Sequence, residues 1–171
     1  MNTITILATG LAQGQISNGM STIFKTIAKG DPNAHLKICS WRTDTQELMR
    51  YIGSKWTETG GSQIILAGHS WGVWMLTKLC VRLSASNIPV RLLASADGVS
   101  KPIRNPLVIP SNVIELQSWF QSKGIIKGSP IRVTSHTRHT ISQQVVRRHF
   151  TVDEVPAFQK TVIDHALGRI T

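Results

Sequence analysis

The sequence predicts a doubly wound α/β fold, with a mostly parallel sheet of about five strands and helices on both faces. Short apolar runs of strand length alternate along the chain with longer segments whose apolar residues recur at helical spacing. In addition, one predicted strand passes directly into a helix through a glycine-bounded turn, Gly68–Gly72. Strands that alternate with helices form right-handed crossovers, and these give a parallel sheet covered on both sides.

Length and composition limit the chain to one globular unit. With 171 residues it is long enough for one hydrophobic core and too short for two ordinary domains, so we expect a single domain over residues 1–171. The hydrophobic content of 41% excludes a disordered chain, and no apolar stretch reaches the roughly 20 residues that span a bilayer. Cys39 and Cys80 are predicted to be core residues, which favours a reducing, cytoplasmic location.

The first half of the chain predicts strands and helices in strict alternation. No basic residue precedes the opening run Thr3–Ala8, so we expect a first strand and not a signal peptide. The first helix shows apolar residues on one face, and the second has a cap at Thr43 or Asp44. The segments that follow the first strand are the helix Met20–Ala28, the strand Ala34–Ser40, the helix Thr43–Thr57, the strand Gln63–Ala67 and the helix Val73–Leu83.

The second half of the chain is more irregular. The apolar strand Val90–Ala96 stops at Asp97–Gly98, a sequence that also forms turns readily. After a loop punctuated by prolines, we predict a helix near Asn112–Ser122 and the last strand at Ile131–Ser135. The final helix is predicted to begin near Asp153, with a proline tolerated in its first turn.

The turn Gly68–Gly72 predicts a catalytic serine. It fits the pattern Gly-x-Ser-x-Gly, with a strand before it and a helix after it, which is the setting of a nucleophile elbow. Such a turn holds its serine in a strained conformation, so the neighbouring positions must have almost no side chain. Gly68 and Gly72 provide that room, and we predict Ser70 as the nucleophile. The alternative is a plain strand-to-helix turn that contains a serine.

A catalytic serine needs a base that accepts its hydroxyl proton. The base is usually a histidine, and a carboxylate holds it in the correct tautomer. In enzymes with this turn the chain order is serine, acid, histidine, each at the carboxyl end of a strand. Asp97 ends the first strand after the turn, so we predict it as the acid, with an Asp-Gly turn as the alternative. The other acids of this stretch are Glu115, Asp153 and Glu154; Glu115 falls in a predicted helix, and Asp153 stands too close to the predicted base.

Three histidines lie between the last predicted strand and the last helix. We predict His149, just before that helix, as the base, with His136 as the reserve and His139 third. A surface histidine is the alternative for each of them. His69, inside the elbow, is expected to point away from the nucleophile and to pack or bond locally, and we assign no role to the remaining histidines, His35 and His165.

An oxyanion needs two backbone N–H donors. We expect one from Trp71, the residue after the nucleophile, and the other from the loop Gly10–Ala12, at Leu11. The alternative is that the glycines of this loop only make a strand-to-helix turn. Trp71 is also a candidate wall of the acyl pocket, whereas Trp74 is expected in the core.

These residues together resemble the α/β-hydrolase superfamily, in a compact lidless form similar to small esterases and cutinase-like enzymes. The resemblance covers nearly the whole chain, from the Gly10–Ala12 loop through the elbow to His149. It implies acyl-enzyme catalysis without a metal or an organic cofactor. Fuller members have strands before the equivalent of Thr3, which we expect this chain to lack.

The resemblance implies a serine hydrolase that cleaves a carboxylic ester. A thioesterase or an amidase would use the same residues, because the sequence does not distinguish these leaving groups. The competing class is a non-catalytic binding protein on the same scaffold, which would recruit nucleic acid or anionic lipid through a basic surface.

The positive charge is unevenly distributed along the chain. The net charge is +10, and residues 101–150 contain eight Lys or Arg and one acid. Such a segment could attract anionic substrates, anionic lipid or nucleic acid. The cations are scattered without interleaved aromatic residues, and no zinc-finger or RNA-recognition signature is present, so a solvated face is favoured. We expect a small ester or thioester substrate, leave open whether it is anionic, and predict no nucleic-acid or membrane partner.

Overall fold

The part of the chain that the computed structural model describes contains a main sheet of six parallel strands and a small sheet of two. The described residues are 2–11, 17–103, 105–123, 125–133 and 137–170, with the backbone alone for residues 138–141. The strands are β1 (Thr3–Thr9), β2 (His35–Ser40), β3 (Gln63–His69), β4 (Val90–Ala96), β5 (Leu107–Ile109), β6 (Val113–Phe120), β7 (Ile131–Val133) and β8 (Arg138–Gln144). The helices are α1 (Gly19–Gly30), α2 (Thr45–Glu58), α3 (Trp71–Ala85), a 3₁₀ helix (His149–Glu154) and α4 (Pro156–Ala166).

The main sheet has the order β2-β1-β3-β4-β6-β8, and all of its neighbouring pairs are parallel. Because the strands run in one direction, their carboxyl ends meet at one edge. The order reverses direction at β1, and ligands bind outside the carboxyl ends of such sheets. The predicted fold class is confirmed, with six strands in the main sheet where about five were expected.

Helices cover both faces of this sheet. In β3, Ile64 and Leu66 pack in one core with α2 and α3, whereas Ile65 and Ala67 pack in the other with α1 and α4. Alternate residues of a strand face opposite sides, so a strand covered on both sides is apolar at nearly every position. This explains why the central strands read as continuous apolar runs.

The predicted helix Asn112–Ser122 is wrong, because this segment forms the strand β6 between β4 and β8. Its β-branched and aromatic residues are typical of a strand. Glu115 is buried in this strand, but a charged residue is normally predicted to be exposed, so the sequence did not indicate a buried position there. Glu115 accepts a hydrogen bond from Gln117 (2.6 Å) on the same face and lies 3.6 Å from Arg91 in β4. The buried carboxylate is therefore compensated by a neighbour on its own strand and by a cation on the adjacent strand β4.

The prediction of Ile131–Ser135 as the last strand of the main sheet is also wrong. Ile131–Val133 forms β7 and pairs with β5 in the small sheet, and residues 134–136 lie outside the described part of the chain. The last strand of the main sheet is β8, whose sequence is mostly polar. As an edge strand paired to β6 alone, β8 does not need the apolar run that marks a central strand.

The final helix begins close to the predicted position, after a short 3₁₀ helix. Pro156 occupies its first turn, where its missing N–H costs nothing. Among the described residues, no helix has both the length and the apolarity needed to cross a membrane.

Burial of the two free thiols generates a chemical prediction. Burial raises the pKa of the Cys80 thiol in α3 to about 12. Burial also raises the pKa of the half-buried Cys39 thiol in β2 to about 11, against the opposing effect of Lys37. The thiolate is the reactive form, so at pH 8 the folded protein should react with iodoacetamide at least about a hundredfold more slowly than a free cysteine.

Mass spectrometry after timed alkylation measures this rate. Both cysteines should react fully once the chain is unfolded in guanidinium. Rapid alkylation of Cys80 in the folded protein would contradict the packing described for α3.

Candidate active site

Ser70 occupies the sharp turn between β3 and α3. Its backbone lies at φ 54° and ψ −126°, in a region that residues other than glycine rarely adopt. The turn is held on both sides: the Ser70 N–H donates to the Ala96 carbonyl (3.0 Å), and the Ser70 carbonyl accepts from the N–H groups of Val73 and Val99 (3.1 Å each). Neighbouring structure therefore maintains the strained conformation.

Glycines make this turn possible because backbone and side chains crowd it. A β-carbon at Gly72 would collide with the Ala8 carbonyl, and one at Gly68 would lie 2.9 Å from the Val73 nitrogen. A β-carbon at Gly10, just after β1, would lie 2.7 Å from the Ser70 Cβ. The loop after β1 thus approaches the serine closely enough to face its hydroxyl.

Asp97 follows β4 at the same edge of the sheet and is also held at positive φ, 45°. Its carboxylate is fully buried. Oδ1 accepts from the backbone N–H groups of Gln121 (3.2 Å) and Gly128 (3.1 Å), and Oδ2 accepts from the Gln121 side-chain amide (3.2 Å). These neutral donors compensate the buried charge and fix the direction of the carboxylate.

His149 begins the 3₁₀ helix and connects the other two residues. Its Nδ1 lies 2.7 Å from Asp97 Oδ2, and its Nε2 lies 2.9 Å from Ser70 Oγ. A carboxylate only accepts, so Nδ1–H donates to Asp97, and Nε2 is left to accept the hydroxyl proton of Ser70. The structure thus brings Ser70, His149 and Asp97 into one hydrogen-bonded series. His136 lies outside the described residues, as does the side chain of His139.

The other acids weighed from the sequence have different partners. Asp153 is buried and accepts a hydrogen bond from Ser17 Oγ (2.6 Å), and Glu154 accepts one from the Asn18 N–H (3.2 Å). Glu115 lies in β6, where it packs toward α4 and not toward the serine. Asp97 is the acid that contacts His149.

His69, inside the elbow, supports the backbone of His149. A carbonyl only accepts, so the His69 Nε2–H donates to the His149 carbonyl (2.7 Å). Burial lowers the pKa of the His69 imidazole, against the opposing charge of Asp153. The ring is therefore neutral at pH 7 and keeps the tautomer that this bond requires.

The two predicted oxyanion donors border the serine. Trp71 is the first residue of α3, so its N–H has no acceptor within the helix and carries the positive partial charge of the helix N-terminus. Leu11 and Trp71 line a narrow cleft of about 50 Å³ together with Ser70 and His149. The remaining walls are Val99, Ile103 and Ile126. Apolar side chains thus border the hydroxyl, and three of them, Leu11, Ile103 and Ile126, are exposed. Such a lining is typical of a site that binds an apolar group.

Sequence reasoning missed two contributors at this edge. Trp41, just after β2, packs against Trp71 with ring centroids 4.8 Å apart, and Lys101 Nζ lies 4.8 Å from the Trp41 centroid. Gln121, just after β6, orients Asp97. Trp41 directly follows a predicted strand, so the sequence could have indicated that it lies at this edge. Gln121 could not be placed there, because the sequence predicted a helix over Asn112–Ser122. Among the described residues, no group of three or more His, Cys, Asp or Glu side chains could hold a metal ion.

Comparisons with known proteins agree on the fold. No protein-family model matches the sequence, and no curated protein matches it. Among solved structures, the chain is similar to a candidate hydrolase of the α/β superfamily from Xanthomonas campestris pv. campestris (14% identity, 98% of this chain and 99% of that chain, TM-score 0.59). It is also similar to a novel cutinase-like protein from Cryptococcus sp. (15%, 98% and 95%, TM-score 0.52) and to human thioesterase 2 (12%, 96% and 94%, TM-score 0.50). The resemblance to the α/β-hydrolase superfamily is confirmed at the level of the fold.

The crowding at Gly10 generates a stability prediction. In Gly10→Ala the added methyl group would lie 2.7 Å from the Ser70 Cβ and 2.9 Å from the His69 carbonyl oxygen, so the loop must move. We expect a loss of about 1–3 kcal/mol in the free energy of unfolding, measured by urea denaturation.

Gly53→Ala is the matched control, because a β-carbon there meets nothing within 4 Å in α2. It should stabilise the protein by about 0.5–1 kcal/mol. Equal effects of the two substitutions would contradict the close approach of the Gly10 loop to the elbow.

Proposed function

We propose that this chain, which has the α/β-hydrolase fold, is a serine hydrolase that cleaves a carboxylic ester and acts as one domain over residues 1–171. The observation that carries the proposal is the series from Ser70 Oγ through His149 to Asp97, with separations of 2.9 and 2.7 Å. Nucleophile, base and carboxylate at these distances form the arrangement that activates a serine. Their position at the carboxyl edge of the sheet leaves the hydroxyl facing a cleft.

In the first half of the reaction, Ser70 Oγ attacks the ester carbonyl carbon while His149 Nε2 takes its proton. Asp97 accepts the Nδ1–H bond throughout and stabilises the imidazolium that forms. The backbone N–H groups of Trp71 and Leu11 are proposed to bind the oxyanion of the tetrahedral intermediate. When the intermediate collapses, the bond to the leaving alcohol breaks and His149 returns the proton to that oxygen.

In the second half, water replaces the alcohol. His149 takes a proton from water as its oxygen attacks the acyl carbon, and the second tetrahedral intermediate releases Ser70 with that proton and a carboxylic acid. The net reaction consumes one ester and one water. Besides the ester and water, the proposed steps use the side chains of Ser70, His149 and Asp97 and the backbone N–H groups of Trp71 and Leu11.

The thioester is the second candidate substrate. Human thioesterase 2 shares the fold, and the same residues would expel a thiolate, which needs less help from His149 than an alkoxide. An amide would require His149 to protonate a poorer leaving group. Parallel assays on matched ester, thioester and amide substrates would distinguish them.

Labelling by a fluorophosphonate tests the nucleophile. The wild-type protein should be labelled once, because the probe traps an activated serine, and Ser70→Ala should show no labelling and at least about a thousandfold lower turnover of a short-chain nitrophenyl ester. Ser84→Ala, near the other end of α3, is the control and should be labelled like the wild type. Labelling that survives in Ser70→Ala would exclude Ser70 as the nucleophile, and an unlabelled wild type would favour a non-catalytic binding protein.

A matched pair of histidine variants tests the base. His149→Ala should reduce turnover by at least about a thousandfold, because neither Ser70 nor water would then have a proton acceptor. His136→Ala should keep most of the activity. Steady-state kinetics with the same nitrophenyl ester measures both, and the reverse result would assign the base to His136.

A further inference from the structure

A second, larger cleft adjoins the candidate active site. It measures about 550 Å³ and lies where β6 and β8 end and the 3₁₀ helix begins. The lining residues come from three short segments and are Gln121, Ser122, Lys123, Gln144, Val145, Val146, Arg147, Arg148 and Thr151. We call this the basic cleft.

The charge of the basic cleft is uncompensated. Lys123, Arg147 and Arg148 line it, no acidic side chain is among the lining residues, and none of the three cations forms an ion pair with another described residue. The one acid of the segment 101–150, Glu115, is buried in β6 and lies beside Arg91. Like charges gathered without a counterion repel each other, and an anion bound between them would relieve that repulsion.

The polar groups of the cleft suit a phosphate. A phosphate monoester carries about −1.5 to −2 charges at pH 7, which matches several cations better than the single charge of a carboxylate does. The two arginines are able to donate paired hydrogen bonds to its oxygens. Ser122 Oγ already accepts a hydrogen bond from Gln144, so its hydroxyl proton is available to a ligand.

Among the residues that the structure describes, no aromatic side chain lines the basic cleft, so these residues offer no platform on which nucleic-acid bases could stack. Its volume exceeds that of one phosphate and leaves room for the group that carries it. These features favour a small phosphorylated molecule over a nucleic acid.

The basic cleft is connected to the candidate active site through two residues. Gln121 lines the cleft and donates to Asp97 from both its backbone and its side chain. Arg148 lines the cleft and directly precedes His149. A ligand held there would lie beside the residues proposed to perform hydrolysis.

We propose that the basic cleft binds a phosphate group carried by the substrate, so that the natural ester or thioester is phosphorylated at a position remote from the bond that is cleaved. The proposal rests on the proposed hydrolase function and specifies its substrate class.

Two double variants with the same loss of charge test the proposal. Lys123→Gln/Arg147→Gln removes two cations of the cleft, whereas Lys25→Gln/Arg50→Gln removes two exposed cations of α1 and α2. Binding of inorganic phosphate is measured by calorimetry at constant ionic strength, in a Ser70→Ala background that does not depend on turnover. We expect the cleft variant to bind at least about tenfold more weakly and the control to bind as the unsubstituted protein does.

Kinetics then connect the cleft to the substrate. The two substrates are nitrophenyl 4-phosphooxybutyrate, which has a phosphate on the terminal carbon, and unmodified nitrophenyl butyrate. The value of kcat/KM should be more than about tenfold higher for the phosphorylated ester. The ratio should fall at least about tenfold in Lys123→Gln/Arg147→Gln and stay unchanged in the control. Inorganic phosphate should compete with the phosphorylated ester.

The outcomes distinguish the two proposals. If phosphate binding depends on Lys123 and Arg147 but no ester is cleaved, the phosphate site stands and the hydrolase function fails. If both esters are cleaved with equal kcat/KM, or if phosphate binds the cleft variant as well as the control, the phosphate site is overturned. Retention of an oligonucleotide by the cleft cations without phosphate binding would overturn it as well.

Discussion

The buried carboxylate of Asp97 connects the segments at the carboxyl edge of the main sheet, where the candidate site lies. Among the described residues it accepts hydrogen bonds from the segment after β6, from the loop at Gly128 and from the 3₁₀ helix. A buried charge is costly unless each oxygen has partners, so these segments must stay in place around it. The position of His149 therefore depends on Asp97, which is itself held by the backbone N–H groups of Gln121 and Gly128.

The parts of the site that sequence could predict are those that depend on local geometry. The elbow at Ser70 is specified by its own glycines, and Asp97 stands at the end of an apolar strand that the sequence marks clearly. The parts that could not be predicted depend on distant partners. Glu115 is buried in β6 with Arg91 of the neighbouring strand β4 beside its charge, and the polar strand β8 is held by its pairing with β6. Local patterns contain neither interaction.

The candidate site separates apolar from charged surroundings. Leu11, Ile103 and Ile126 border the hydroxyl of Ser70, whereas the basic cleft lies on the side of Arg148. Apolar walls exclude water and strengthen the hydrogen bonds between Ser70, His149 and Asp97. The cations of the basic cleft, Lys123, Arg147 and Arg148, lie outside these walls. They are able to attract an anion without placing an unpaired charge beside the Ser70 hydroxyl.

The bond from His69 to the His149 carbonyl has a mechanical consequence. The side chain of His69, the residue just before Ser70, is hydrogen-bonded to the main-chain carbonyl of His149, so the elbow is connected directly to the segment that carries His149. A displacement of the 3₁₀ helix is therefore coupled to the elbow. The distance between Ser70 Oγ and His149 Nε2 is then less sensitive to motion of the surrounding loops. The alignment of Ser70 and His149 is thus supported by a hydrogen bond between the two segments that carry them.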